Sequence, residues 1–155
     1  MSGVPGPPGP TGSSLPSGLF SGAKYISGLE TVDVNATLAV PLDVQLWDTD
    51  AYWNSGHHTY FTAPFTAKYH VGCWVSSSGT VSSGQAQVTL LVNNVTQIAR
   101  ATMAAYPGGI FDHQLHVEHK FGAGDTVGIT YLNACDVTVT IENSAMWMSK
   151  IAGSY

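Results

Sequence analysis

From Phe65 to Val75 the side chains alternate, with Phe65, Ala67, Tyr69, Val71, Cys73 and Val75 on one parity and Thr66, Lys68, His70 and Trp74 on the other. A period of two is the pattern of a half-buried strand, and this strand is the expected centre of the fold. Just before it, the run Phe61-Thr62-Ala63-Pro64 should turn the chain into the strand. Pro64 fixes its own φ, pushes Ala63 out of the helical region and offers no ladder donor.

The same period recurs along the chain. Between Thr37 and Trp47 the even positions are Leu38, Val40, Leu42, Val44 and Leu46, with Pro41 marking an edge strand or a bulge. Gln85 to Val92 alternates with Val88, Leu90 and Val92 inward, and Val95 to Ala101 returns after Asn93-Asn94, a pair that tolerates positive φ; this predicts a hairpin. The longest alternation runs from Phe111 to Phe121, placing His113 and His119 among Leu115, Val117 and the two phenylalanines. Gly122 to Asp125 reads as a turn, after which Thr126 to Leu132, Asp136 to Ile141 and Ala145 to Ile151 are expected as three further strands. No stretch carries a 3.6-residue apolar stripe with caps. Eight to ten short strands punctuated by Gly, Asn and Pro predict an all-β sandwich or barrel.

The N-terminal stretch breaks this rhythm. Gly3, Gly6, Gly9 and Gly12 fall every third residue, with Pro5, Pro7, Pro8 and Pro10 between them. A Gly-X-Y repeat has one physical reason, since only Gly fits at the axis of three wound polyproline helices. The alternative is a flexible Gly/Pro tail. The chain therefore divides into a collagen-like arm at 1–14, a linker at 15–22 and one globular head at 23–155. At 155 residues it is long enough for one domain with a proper core.

Charge changes the picture more than length does. Charged residues are 10% of the chain, against about 25% in ordinary soluble domains, which suits a surface held in an assembly. A net charge of -5 with 5 Lys and Arg excludes a clustered phosphate-binding surface, so nucleic acid is not an expected partner. No apolar run reaches a membrane span, and the first residues show neither a charged nor an apolar leader segment. Cys73 and Cys135 share the apolar parity of their strands and could face each other; two buried free thiols are the default and a disulfide the alternative.

Candidate chemistry starts from the histidines. His113, His116 and His119 are three apart, which alternates faces on a strand, so they cannot converge on one metal from one chain. On a three-fold axis His113 or His119 would meet two copies of itself; otherwise each is a neutral buried residue bonded to a backbone carbonyl. No Gly-x-Ser-x-Gly elbow occurs, and Cys73 has no cation near it in sequence. Asp48, Asp50 and Asp112 are not distinguished from loop acids, and Asp48, Asp50, Asn54 and Asp125 lack the dense spacing of a calcium loop. The stretch Tyr52 to Tyr60 offers Trp53, His57, His58 and Tyr60 beside amide and hydroxyl groups, as a sugar-contacting surface would. The competing reading is that its aromatics cap the sandwich or fill an interface between copies.

Taken in order, the strand ending Leu46-Trp47-Asp48-Thr49, then Tyr52-Trp53-Asn54, then Phe61 to Pro64 with Tyr69 after it, resembles the globular heads of collagen-tailed complement recognition proteins. Those heads share a jelly roll with tumour necrosis factor. Gly124-Asp125 followed by Val127 resembles that family's penultimate hairpin, and Ser144 to Ile151, with Trp147, resembles its closing strand. The likeness runs over roughly residues 23–151 and is nearest to the short versions in bacteriophage structural proteins. Ala67 stands where a Gly is usual, so a different backbone conformation is expected there. The resemblance implies a ten-stranded jelly roll in two sheets, a compact homotrimer and no catalytic activity, and the residues weighed above give no expected cofactor and no expected metal.

The expected role is a trimeric virion structural protein: a bacteriophage capsid decoration, head fibre or tail-tip ornament on the virion surface. Gly3, Pro5, Gly6, Pro7, Pro8, Gly9, Pro10 and Gly12 would anchor it to a capsid or tail protein. Trp53, His57, His58 and Tyr60 would touch a host-surface glycan. The alternative is a bacterial spore-coat or cell-surface collagen-like adhesin binding glycan or protein.

Overall fold

The structure, a computed structural model, describes residues 21–25, 28–48, 58–106 and 108–151. The expected centre is β6 (Ala67–Ser78), an interior strand flanked on both sides. Its neighbours are β11 (Val139–Lys150) and β9 (Ile110–Phe121), both antiparallel to it. Beyond β11 the sheet continues through β1 (Ser21–Tyr25) to β4 (Val44–Asp48), and β2 (Glu30–Val32) pairs with the start of β11. The second sheet runs β3 (Thr37–Ala39), β10 (Thr126–Cys135), β7 (Gly84–Val92), β8 (Thr96–Ala104), with β5 (Tyr60–Thr62) also on β10. Six strands in one sheet and five in the other, joined by crossovers, make a jelly roll among the described residues.

The core lies between the sheets and follows the parity read from the sequence. Ala67, Tyr69, Val71, Cys73 and Val75 of β6 are all buried. Phe111, Leu115 and Phe121 of β9 and Met146 and Met148 of β11 join them, and Val88, Leu90, Ile129 and Tyr131 close the layer from the other sheet. Each such side chain contributes roughly 1.5–3 kcal/mol relative to leaving it in water. Tyr69 meets Phe121 edge to face at 5.7 Å, and its hydroxyl donates to the Phe65 carbonyl at 2.9 Å.

The hairpin at 93–94 forms as the pattern predicts. Asn93 and Asn94 take φ of 52° and 58°, the left-handed pair that matches the twist of β7 and β8. Asn93 also reaches sideways. Its Nδ2 donates to Asp125 Oδ1 at 2.9 Å and its Oδ1 accepts from Thr126 N at 2.9 Å, so this hairpin is tied to the Gly122–Asp125 turn, where Gly124 has φ of 89°.

Three expectations are corrected. The alternation from Thr37 to Trp47 is not one strand, because β3 belongs to the five-stranded sheet and β4 to the six-stranded sheet. The chain crosses the sandwich around Pro41, burying Val40 and Leu42 on the way, and Leu46 ends 55% exposed. Phe65 is 46% exposed, since it sits in the bend before β6, with Lys150 Nζ 5.6 Å from its ring centre. Residues 136–141 and 145–151 are not separate strands; a bulge between Ile141 and Asn143 lets β11 run through both. Ala67, which stands where a Gly is usual, is not one of them: it has no positive φ and opens β6 as an ordinary strand residue.

Candidate functional site

The sequence-predicted contact loop is only partly described. Trp53 and His57 lie outside the described residues, as does the whole Gly-X-Y arm from Gly3 through Pro5, Gly6, Pro7, Pro8, Gly9 and Pro10 to Gly12. His58 is exposed at the loop's exit, and its carbonyl accepts from Leu42 N. Tyr60 is half-buried on β5, opposite Gly128 of β10. Tyr60 thus stands at a fixed point on the five-stranded sheet.

The three spaced histidines separate as a strand requires. His113 is buried, with Nε2 donating to the Ala86 carbonyl at 3.2 Å, which assigns the proton to Nε2 and leaves Nδ1 as a buried lone pair. Burial lowers its pKa, against smaller opposing contributions from that hydrogen bond and from Asp112. His119 shares its parity and packs edge-on to Phe121 at 4.9 Å, half-buried. His116 points the other way and is exposed. Among the described residues no group of three or more His, Cys, Asp or Glu could hold a metal ion.

Acids and thiols are occupied structurally. Asp125 accepts from Asn93 Nδ2 and, at 2.7 Å, from Gly122 N, and these two bonds hold its carboxyl below the usual range. Asp112 is exposed on β9, while Asp50 and Asn54 fall outside the described residues. Cys73 and Cys135 are both free and buried, so the default of two thiols stands. Burial pushes the Cys73 thiol up to about 12, the opposite of what a nucleophile needs. Inside the sandwich Ser77 and Tyr131 share a hydroxyl–hydroxyl bond at 2.6 Å, and Tyr131 lies edge-on to His113 at 6.1 Å.

The most distinctive arrangement was not singled out from the sequence. It occupies the outer face of the six-stranded sheet, the side away from the core. Trp147 of β11 lies against Gly72 of β6 so closely that a Cβ on Gly72 would sit 2.3 Å from the indole ring. His116, directly opposite Gly72 on β9, packs on the same indole with centroids 5.3 Å apart. His70, one row away, faces His116 at 5.8 Å. Trp74 is half-buried on the same side of β6. By register the row continues from Gly72 and Trp147 through Ala23 of β1 to Trp47 of β4. The one signal in the chain was Gly72 itself, because a glycine inside a strand marks a close approach. What approaches it comes from the far end of the sequence.

No family model matches the sequence, and no curated protein matches it. Solved structures do. The globular domain of zebrafish complement 1qA protein superposes with a TM-score of 0.66 at 11% identity, covering 89% of this chain and 100% of that one. Eiger TNF from S. frugiperda superposes with a TM-score of 0.62 at 13% identity, covering 86% of this chain and 92% of that one. At such identities the likeness is one of fold, and it agrees with the jelly roll expected from the order of motifs.

Proposed function

We propose that this chain is a trimeric structural protein of a virus particle, a capsid or tail ornament on the virion surface whose N-terminal arm plugs into a larger assembly. The observation that carries the reading is the Gly-X-Y run at Gly3, Gly6, Gly9 and Gly12, set ahead of a jelly-roll head whose first strand begins at Ser21. As a collagen-like repeat such a run calls for three chains, and a head that holds three copies together would supply the register that four triplets cannot. Proline-rich arms are already extended when free, which lowers the entropy lost on docking. The sparse charge fits a surface packed against other protein. In this arrangement Trp53, His57, His58 and Tyr60 are available to touch a host glycan.

Deleting residues 2–14 tests the reading. The truncated chain is expected to stay folded and trimeric but to be missing from particles purified from the producing host. Its recovery on particles at the parental copy number would overturn the plug, and a chromosomal neighbourhood without capsid or tail genes would count against a virion role.

A further inference from the structure

We infer that His70 and His116, which meet across β6 and β9, form an open binding site for a divalent metal ion of the zinc, copper and nickel class. The site uses one chain alone and is independent of the reading above.

Reading along β9 hides the pair, because His113, His116 and His119 alternate faces there. The partner of His116 comes from another strand. In the antiparallel ladder of β6 and β9, Gly72 faces His116 and His70 faces Glu118, so the two histidines are diagonal neighbours on one face. Diagonal positions lie about 7–8 Å apart, within reach of long side chains. Here the two rings close to 5.8 Å between centroids.

That separation suits a shared ion. Imidazole nitrogen binds zinc at about 2.0–2.1 Å, which with the ring widths added sets two rings on one tetrahedral ion about 5 Å apart between centroids. The remaining gap is within the swing of an exposed side chain, and both histidines are exposed. Their planes are tilted by 52°, so the rings are not stacked face to face. Neither is hydrogen-bonded to another described residue, which leaves the nitrogens to solvent or an ion. One of the two is braced. His116 packs on the Trp147 indole with centroids 5.3 Å apart, and that indole lies where Gly72 has no Cβ. A ligand already held by packing loses less freedom when it binds. Glu118, exposed and directly opposite His70, adds a negative charge beside the pair.

The donors select the ion. Imidazole suits zinc, copper and nickel, whereas calcium and magnesium take shells of oxygen. Two nitrogens do not close a shell, so water fills the other positions, as at zinc sites that keep a position open. The site therefore differs from a cluster of three or more His, Cys, Asp or Glu, of which the described residues hold none.

Zinc titration of the full-length chain tests the proposal, followed by nuclear magnetic resonance of the histidine ring nitrogens and by calorimetry. The ring nitrogens of His70 and His116 are expected to shift together with the first equivalent of zinc, and magnesium at the same concentration is expected to move neither. These shifts are read on the parent and need no variant. His70→Gln and His116→Gln, both at exposed positions, are each expected to weaken zinc binding at least tenfold with unchanged far-ultraviolet circular dichroism. Zinc that shifts only other imidazoles, or only one of this pair, overturns the site. So does a folded variant that keeps the parent's affinity.

Discussion

His113 makes the core sensitive to acid, and the direction follows from its burial. Its pKa is lowered from 6.5 in the folded protein, so above that pH both states are neutral and the group is indifferent. As pH falls below 6.5 the unfolded chain takes up a proton that the folded core resists, and stability drops until pH passes the folded value. The melting temperature is therefore expected to fall between pH 7 and 5, with a shallower slope in His113→Leu; equal slopes would show that His113 is not the group responsible. Tyr69 is the second residue whose loss should be felt. Tyr69→Ala is expected to cost about 3 to 5 kcal/mol as a large-to-small core change. Tyr69→Phe removes only the bond to the Phe65 carbonyl and should cost about 0.5 to 1.5 kcal/mol. Equal losses in urea melts would mean that the hydroxyl, not the ring, carries the site. Strand parity made Tyr69 legible in advance and misplaced Phe65, because parity says nothing about where a strand begins.

Among the elements, those marked by a local pattern, a turn pair or a long alternation, were the ones that could be read. The β7–β8 hairpin announces itself by Asn93-Asn94, and β6 and β9 by long alternation. The change of sheet between β3 and β4 and the bulge inside β11 have no such local mark, since each is settled by pairing with distant strands. Asn133 shows the same limit for a single side chain. It stands fully buried in β10, where its Nδ2 donates to the carbonyls of Val32 at 2.8 Å and Val137 at 2.9 Å and its Oδ1 accepts from Cys135 N at 3.0 Å. One amide thereby ties β2, β10 and the approach to β11 together. Asn133→Ala strips partners from four backbone groups, the Asp33 carbonyl at 3.3 Å included, and a loss of about 2 to 4 kcal/mol in chemical denaturation is expected. A loss below about 0.5 kcal/mol, the scale of an ordinary surface change, would show that water replaces the amide without penalty.

At the scale of the whole molecule, the head's jelly roll was legible in the order of its motifs, while the aromatic cluster on the outer face of its six-stranded sheet was not. Gly72, Trp147 and His116 come from three strands that register alone brings together. If three heads assemble as proposed, folding and assembly are one equilibrium, so the melting temperature should climb as chain concentration is raised a hundredfold. A constant value would mean that each head melts alone. The two thiols have a further use here. Cys73 belongs to one sheet and Cys135 to the other, both are shielded, and burial pushes both thiols away from the reactive thiolate. Each sulfur is thus a silent clock, started only when its own layer parts from the opposite one. Maleimide capture of the two at a single shared rate would describe a sandwich that opens like a book, whereas separate rates would describe a wall that sheds its panels one at a time.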